Sequence, residues 1–159
     1  MDAKWLLRSL QSNEVETALA YAKSTQLFSD LQIMWIREHI TGFSRGELVD
    51  DYQVLTCWSA SHLGGFLVFR KRPLTQSTFE IGQVVISQKD ARENTTRLIE
   101  SLTEIVKLSG GDSIFIELAD SVKWAEIRSV LIEHGFSTVG RIPHLYQPGL
   151  GALYLIKRL

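Results

Sequence analysis

The sequence has few of the residues that build disulfides, metal sites and rigid loops. Only one of its 159 residues is a cysteine, Cys57, so the chain cannot form an internal disulfide and fits a reducing compartment. It has three prolines and four histidines, and no two histidines stand at a spacing typical of a metal site. We therefore expect a cytoplasmic protein that binds no metal.

Long apolar runs and a surplus of one charge are missing as well. No apolar stretch reaches the length of a membrane span, and Met1–Leu10 already contains charged residues, so we expect neither a signal peptide nor a membrane anchor. With 17 Lys and Arg residues against 18 Asp and Glu residues, the net charge is −1 and gives no electrostatic basis for binding nucleic acid. Glycine-rich nucleotide-binding motifs and serine-hydrolase motifs are absent too, which excludes two large classes of enzyme.

What is present is typical of a globular domain. Hydrophobic residues make up 45% of the chain and charged residues 22%, which are ordinary proportions for a folded protein. A chain of 159 residues is long enough to bury a core of its own. We expect a single domain that spans residues 1–159.

The first part of the chain carries one weak strand signal and two helix signals. Trp5–Leu10 is a short apolar run that predicts a first strand. Asn13 with Glu16 has the spacing of a capping box and predicts the start of one helix, and Ser29 with Gln32 predicts the start of a second. The two helices are close in sequence, so we expect them to pack as a pair.

The middle of the chain changes to the period of β-structure. Gln53–Trp58, Leu63–Arg70 and Phe79–Ile86 are predicted to form a three-stranded meander. Gly82 lies inside the third strand, where a glycine often marks a bulge. A helix follows and then a strand at Ser113–Leu118, and a strand-helix-strand unit requires these two strands to be parallel.

The C-terminal part predicts a helix, two strands and a loop that holds a tyrosine. The helix stops at Gly135, the strands are predicted at Phe136–Arg141 and Ala152–Arg158, and Tyr146 lies in the long loop between them. The loop is marked by four turn-forming residues, Pro143, Pro148, Gly149 and Gly151. The whole order predicts an α+β domain with a mixed central sheet and helices on both faces.

Several stretches together resemble one bacterial subgroup of the GNAT acyltransferase superfamily. The most specific is IPHLYQPG followed by ALYLIKRL, which matches the PxxYxPG loop and last strand of that subgroup. RKRPLTQSTFEIGQVVIS and ELADSVKWAEIRSVLIEHGF extend the match over the central strands and the helix before the loop. The resemblance implies a sheet that splays apart between its two central parallel strands to admit acyl-CoA.

The resemblance also implies roles for individual residues. Tyr146 would be the general acid that protonates the departing thiolate, and Glu80 the base that takes the proton of the amine. His144 would contact the acceptor. Three residues of the central strand, Val84, Val85 and Ile86, would offer backbone groups to the pantetheine arm of the cofactor.

The segment expected to hold the pyrophosphate departs from the pattern of the superfamily. That pattern places glycines at a helix N-terminus, where backbone N–H groups close around phosphates. Here the cofactor-binding candidates include no glycine; they are Arg92, Glu93, Asn94, Thr95 and Thr96. Leu131 also replaces a tyrosine that many members carry near the thiol of CoA.

These features favour an acyl-CoA-dependent N-acyltransferase, with acetyl-CoA as co-substrate and no metal. The acceptor would be a small amine or an amino-acid-like molecule, and transfer would be direct. The alternative is a GNAT-fold module that has lost catalysis and serves in binding or regulation. The sequence is compatible with a homodimer and leaves the oligomeric state open.

Overall fold

Seven strands form one continuous sheet in the computed structural model, which describes residues 4–159. The strands are β1 Trp5–Ser9, β2 Gln53–Ser59, β3 His62–Lys71, β4 Thr78–Val85, β5 Ser113–Ala119, β6 Phe136–Gln147 and β7 Leu150–Arg158. Their order across the sheet is β1-β2-β3-β4-β5-β7-β6, and only the central pair β4–β5 is parallel. The predicted mixed sheet is therefore confirmed.

Four helices cover the two faces of this sheet. They are α1 Val15–Ser24, α2 Asp30–Ser44, α3 Ala91–Leu108 and α4 Ala125–Glu133. Short turns of 3-10 helix stand at Ser12–Glu14, Val49–Asp51, Gln88–Asp90 and Val122–Trp124. No helix among residues 4–159 is long and apolar enough to cross a membrane.

One of the two predicted capping boxes is confirmed and the other is wrong. At the start of α2, Ser29 Oγ accepts the backbone N–H of Gln32 at 3.2 Å, and Gln32 Oε1 accepts the N–H of Ser29 at 2.8 Å. Before α1 the corresponding bond lies two residues earlier than predicted, because Glu14 Oε2 accepts the N–H of Gln11 at 2.9 Å. Arg8 binds the same carboxylate and so fixes Glu14 at that place.

Side-chain alternation along the strands divides the core into two layers. The layer under α3 and α4 includes Ile114 and Ile116 of β5, and the layer under α1 and α2 includes Val85 of β4. All three are at most 1% exposed, and burying such a side chain contributes about 1.5–3 kcal/mol. Residues of β5 at the odd positions, among them Phe115 and Glu117, face the side of the sheet that α1 and α2 cover.

The bulge expected at Gly82 is confirmed, and its cause is visible. Val68 of β3 lies opposite Gln83 and Phe69 lies opposite Ile81, so Gly82 is the extra residue in β4. A Cβ at this position would come within 2.7 Å of a Tyr52 ring atom and 2.8 Å of a Trp35 ring atom. Only glycine lets the two rings pack directly on the bulged backbone.

β4 and β5 pair only over their first halves. The parallel register runs from Thr78 opposite Ser113 to Ile81 opposite Ile116 and then stops. Beyond the bulge the two strands separate, and this divergence confirms the splay that the resemblance to the GNAT superfamily implies. It opens a cleft at the carboxyl ends of the central strands.

The predicted long loop around Tyr146 is wrong. β6 continues to Gln147, and only Pro148 and Gly149 connect it to β7. The register jumps from Ile142 opposite Ala152 to Gln147 opposite Leu150, so the segment between them bulges out of the ladder. This segment contains Pro143, which an edge strand tolerates because its outer side needs no ladder hydrogen bond.

Candidate functional site

Two adjoining cavities occupy the place where β4 and β5 separate. The cleft cavity, of about 720 Å³, lies between the strand ends and is lined by Val84, Leu118, Lys123, Trp124 and the turn at Pro148–Gly149. The side cavity, of about 420 Å³, lies beside the Gly82 bulge and is lined by Trp35, Tyr52, Arg72, Glu80 and Phe115. Five residues border both cavities: Leu31, Gln32, Gln83, Glu117 and Tyr146.

Tyr146 is one of the residues at this junction. The bulge in β6 brings its hydroxyl to Glu117, and it donates a hydrogen bond to Glu117 Oε1 at 2.5 Å. Burial raises the pKa of Tyr146 well above its usual value, and the bond to the Glu117 carboxylate raises it further. The phenol therefore holds its proton at neutral pH and donates it in the hydrogen bond to Glu117.

Glu117 is a site residue that the sequence analysis missed. Its neighbours Ile116 and Leu118 point into the core, so strand alternation turns the Glu117 carboxylate to the opposite face. Tyr154 is its register partner on β7. The available signal was an acidic residue inside an otherwise apolar strand that ends at the predicted splay.

Glu80 lies in the side cavity but has no idle carboxylate oxygen. Its Oε1 accepts Arg70 Nε at 2.5 Å and the Tyr52 hydroxyl at 3.3 Å, and its Oε2 accepts Arg72 Nη1. Glu80 is only 7% exposed. Burial together with the nearby Glu80 charge raises the pKa of Tyr52 to about 12. This geometry favours a structural role for Glu80 over the catalytic base that the sequence analysis expects.

The segment expected to hold phosphates begins α3, and three of its residues are held by the neighbouring helix or by their own turn. Arg92 donates to Glu126 at 2.5 Å and to Glu133 at 2.8 Å, so its guanidinium ties α3 to α4. Thr96 Oγ1 donates to the backbone carbonyl of Arg92 at 2.9 Å. Glu93 pairs with Arg97 one turn later.

The other two candidates in this segment point into the fold. Asn94 is 1% exposed and donates from Nδ2 to the carbonyl of Gly64 at 2.9 Å, which anchors α3 on β3. Thr95 is fully buried and its hydroxyl has no partner among the described residues. A phosphate at this helix start would therefore meet backbone N–H groups rather than these side chains.

The three predicted strand residues differ in their surroundings. All three are buried; Val84 shares one core layer with Ile86 and also borders the cleft cavity, whereas Val85 packs in the other layer. β4 pairs with β3 on one side as far as Val85, but it has no β5 partner beyond Ile81. The edge of β4 that faces the cleft therefore offers unpaired backbone groups to an extended ligand.

His144 and Lys123 complete the surroundings. His144 adopts φ of 59° inside the bulge of β6, and its Nδ1 accepts the N–H of Gly149 at 2.8 Å; it borders neither cavity. Lys123 does border the cleft cavity, and no described carboxylate lies within ion-pairing distance of its ammonium.

Residues 4–159 contain no cluster of three or more His, Cys, Asp or Glu side chains that can hold a metal ion.

Comparison with known proteins identifies the fold. No protein-family model and no curated protein sequence matches the chain. Among solved structures, an acetyltransferase of the GNAT family from Desulfovibrio desulfuricans superposes with a TM-score of 0.86 at 16% identity, over 98% of this chain and 99% of that one. The ribosomal-protein-S18-alanine N-acetyltransferase from Escherichia coli superposes with a TM-score of 0.74 at 12% identity, over 98% of this chain and 94% of that one.

A third match includes a bound molecule. An aminoglycoside 6′-N-acetyltransferase complexed with coenzyme A superposes with a TM-score of 0.72 at 14% identity, over 96% of each chain. At such identities the likeness is one of fold. The chain has the GNAT fold along almost its whole length, as its resemblance to that superfamily predicts.

Proposed function

We propose that this GNAT-fold chain is an acyl-CoA-dependent N-acyltransferase that uses acetyl-CoA and transfers the acyl group directly to a small amine. The observation that carries the proposal is the pair formed by Tyr146 and Glu117 at the junction of the two cavities. One cavity follows the open edge of β4 and suits an extended acyl chain. The other approaches the same junction from the side of α2 and suits an acceptor.

The cleft cavity is the proposed place of the pantetheine arm. The amides of the pantetheine arm would pair with the free edge of β4 near Val84 like an added strand. A backbone N–H at the Gly82 bulge would donate to the thioester carbonyl and stabilise the oxyanion that forms on attack. Lys123 at the rim of the cavity would contribute a positive charge toward the phosphates, which the side chains of Arg92–Thr96 do not supply.

The chemistry requires one group to take a proton and another to give one. We assign Glu117 as the base in place of Glu80, because Glu117 borders both cavities, whereas the carboxylate of Glu80 is paired with Arg70 and Arg72. It would take one proton from the acceptor ammonium, and the amine nitrogen would then attack the thioester carbon and release its second proton to solvent as the amide forms. As the C–S bond breaks, Tyr146 would protonate the thiolate.

The hydrogen bond between the two residues closes the cycle. After transfer, Tyr146 is a phenolate and Glu117 carries the proton of the amine, so that proton can pass along the 2.5 Å bond to restore both groups. The net reaction converts an ammonium and a thioester into an amide, a thiol and one released proton. The raised pKa of Tyr146 makes its phenolate a strong acceptor in this last step.

The second candidate function, a GNAT-fold module without catalysis, is favoured by the helix that follows β4. Glu93 adds a negative charge in its first turn, and Asn94 and Thr95 are committed to the core. Such a protein would not bind CoA at all. Catalysis remains our first choice because the Tyr146–Glu117 pair borders both cavities and belongs to neither core layer.

Release of CoA thiol in the presence of acetyl-CoA and a set of amines tests the proposal. Tyr154→Phe is the matched control for Tyr146→Phe, since Tyr154 also neighbours Glu117 but borders neither cavity. We expect thiol release from the parent and from Tyr154→Phe, and a strong loss in Tyr146→Phe. Absence of both acetyl-CoA binding and amine-dependent thiol release would favour the second candidate.

A further inference from the structure

The side cavity carries opposite charges at its two ends. Glu117 lies at the end that joins the cleft cavity, and Arg72 lies at the other end over the ring of Phe115, with its Cζ 4.9 Å from the ring centroid. If transfer occurs at the junction, as proposed above, the side cavity receives the acceptor. Its charges then select the kind of amine that can enter.

The positive end is held in place before any ligand arrives. The backbone N–H of Arg72 donates to Thr78 O at 2.8 Å, and Thr75 Oγ1 donates to Arg72 O at 2.7 Å. The Phe115 ring supports the flat face of the guanidinium. A cation fixed in this way loses little conformational entropy when it binds an anion.

The carboxylate at this end of the cavity is already paired with two cations. Of the two carboxylates that line the side cavity, Glu117 lies at the junction and Glu80 lies near Arg72, where the guanidinium groups of Arg70 and Arg72 share it. The nearby Asp50 binds Arg70 through its backbone carbonyl at 3.0 Å, and its carboxylate lies 3.7 Å from His39 instead. Only Nη1 of Arg72 is bonded to Glu80, so other N–H groups of this guanidinium are available to a ligand.

The distance between the Glu117 end and the Arg72 end of the side cavity can be estimated from the spacing of residues along β5. Phe115 and Glu117 lie two residues apart on the same face of β5, which corresponds to about 7 Å. The walls of the side cavity are largely aromatic and include Trp35, Tyr52 and Phe115. A cavity of about 420 Å³ has room for one small molecule.

We infer that the acceptor is a zwitterion, a primary amine joined by a short apolar chain to a carboxylate about 7 Å away. Its ammonium would lie at Glu117 and its carboxylate would accept hydrogen bonds from Arg72. This inference rests on the proposed function for the identity of the site, but it predicts binding as well as turnover. A polycationic acceptor would place a second positive charge against Arg72 and is disfavoured.

The test compares acceptors of equal length that differ in their far end. They are δ-aminovalerate with a carboxylate, n-pentylamine with a methyl group and cadaverine with a second ammonium; γ-aminobutyrate and ε-aminocaproate vary the length. Thiol release from acetyl-CoA measures turnover. Calorimetric titration of each amine into protein saturated with CoA measures binding without chemistry.

Arg72→Gln is the informative variant and Lys71→Gln is its control, because Lys71 is the neighbouring cation in sequence, is exposed at the end of β3 and borders neither cavity. We expect the parent to prefer δ-aminovalerate over n-pentylamine by about 10- to 100-fold, the value of one charge-assisted hydrogen-bonded pair. Arg72→Gln should abolish that preference, so that the ratio of turnover of δ-aminovalerate to turnover of n-pentylamine falls to about 1. Lys71→Gln should keep it.

Equal use of all three amines by the parent, or preference for cadaverine, would overturn the inference while leaving the acyltransferase function intact. So would an unchanged preference in Arg72→Gln, or failure of every zwitterion to bind the CoA complex. Failure of acetyl-CoA itself to bind would instead refute the proposed function on which the inference rests.

Discussion

Replacing Glu80 and Glu117 in turn separates a structural carboxylate from a catalytic one. Glu80 is 7% exposed and accepts bonds from Arg70, Arg72 and Tyr52, whereas Glu117 is exposed at the cavity junction. Glu80→Gln removes the negative charge between two guanidinium groups and leaves them to repel each other. Glu117→Gln removes the charge of an exposed side chain that packs in neither core layer.

The expected loss of stability in Glu80→Gln follows from the burial of its partners. Removing one member of a fully buried ion pair costs about 3–5 kcal/mol. Here the side chain of Arg72 is 45% exposed and that of Arg70 is 20% exposed, so water compensates part of the loss. We therefore expect about 2 kcal/mol, which lowers Tm by about 4–8 °C for a domain of this size.

Thermal unfolding by circular dichroism and thiol release on the same samples give the two readouts. We expect Glu80→Gln to lose stability and to keep most of its kcat below the new Tm. Glu117→Gln should keep Tm within about 2 °C, as surface changes usually do, and lose about 100-fold in kcat. A Glu80→Gln protein with unchanged Tm and abolished turnover would refute this division of roles and restore Glu80 as the base.

Three further outcomes are expected. Tyr146→Phe should lower kcat by about 10²- to 10⁴-fold and leave the Kd of CoA unchanged, and equal activity of the variant would remove Tyr146 from the mechanism. Because the pKa of Tyr146 is raised, the parent protein should show no alkaline loss of kcat up to about pH 10. Gly82→Ala should cost about 1–3 kcal/mol in chemical denaturation, since its Cβ meets the rings of Trp35 and Tyr52, and an unchanged midpoint would mean that the rings move freely. Lys123→Gln should weaken CoA binding more at low salt than at high salt, and a salt-independent Kd would place the phosphates elsewhere.

Local signals in the sequence predicted much of the architecture. Ser29 and Gln32 form the expected capping box, and Gly82 marks the bulge after which β4 leaves β5. Both depend on neighbours within a few residues or on one backbone preference. Such features can be inferred without knowing what packs against them.

The errors arise where distant residues decide. Arg8 binds Glu14 and so shifts the first helix start away from Asn13 and Glu16. The two prolines near Tyr146 suggested a loop, yet β6 is an edge strand and continues through Pro143. These outcomes depend on tertiary contacts and on position in the sheet, which the local sequence does not contain.

In the candidate site too, the sequence predicted what depends on a local motif and missed what depends on distant residues. Tyr146 was predicted from its motif and lies at the cavity junction, but its partner Glu117 is 29 residues away in sequence and emerges only from the pairing of β5, β6 and β7. The ion pairs of Glu80 with Arg70 and Arg72 also depend on strand pairing, because they form only when β3 and β4 lie side by side. The roles of Val84, Val85, Ile86, His144 and Arg92–Thr96 toward a cofactor or acceptor stay predictions.

Calorimetric titration of the purified protein with acetyl-CoA, and separately with free CoA, tests the central claim most directly. The account predicts micromolar binding of both ligands, with Kd unchanged in Tyr146→Phe and increased in Lys123→Gln. Absence of binding at millimolar ligand would contradict it and would identify the chain as a GNAT-fold module that has lost its co-substrate.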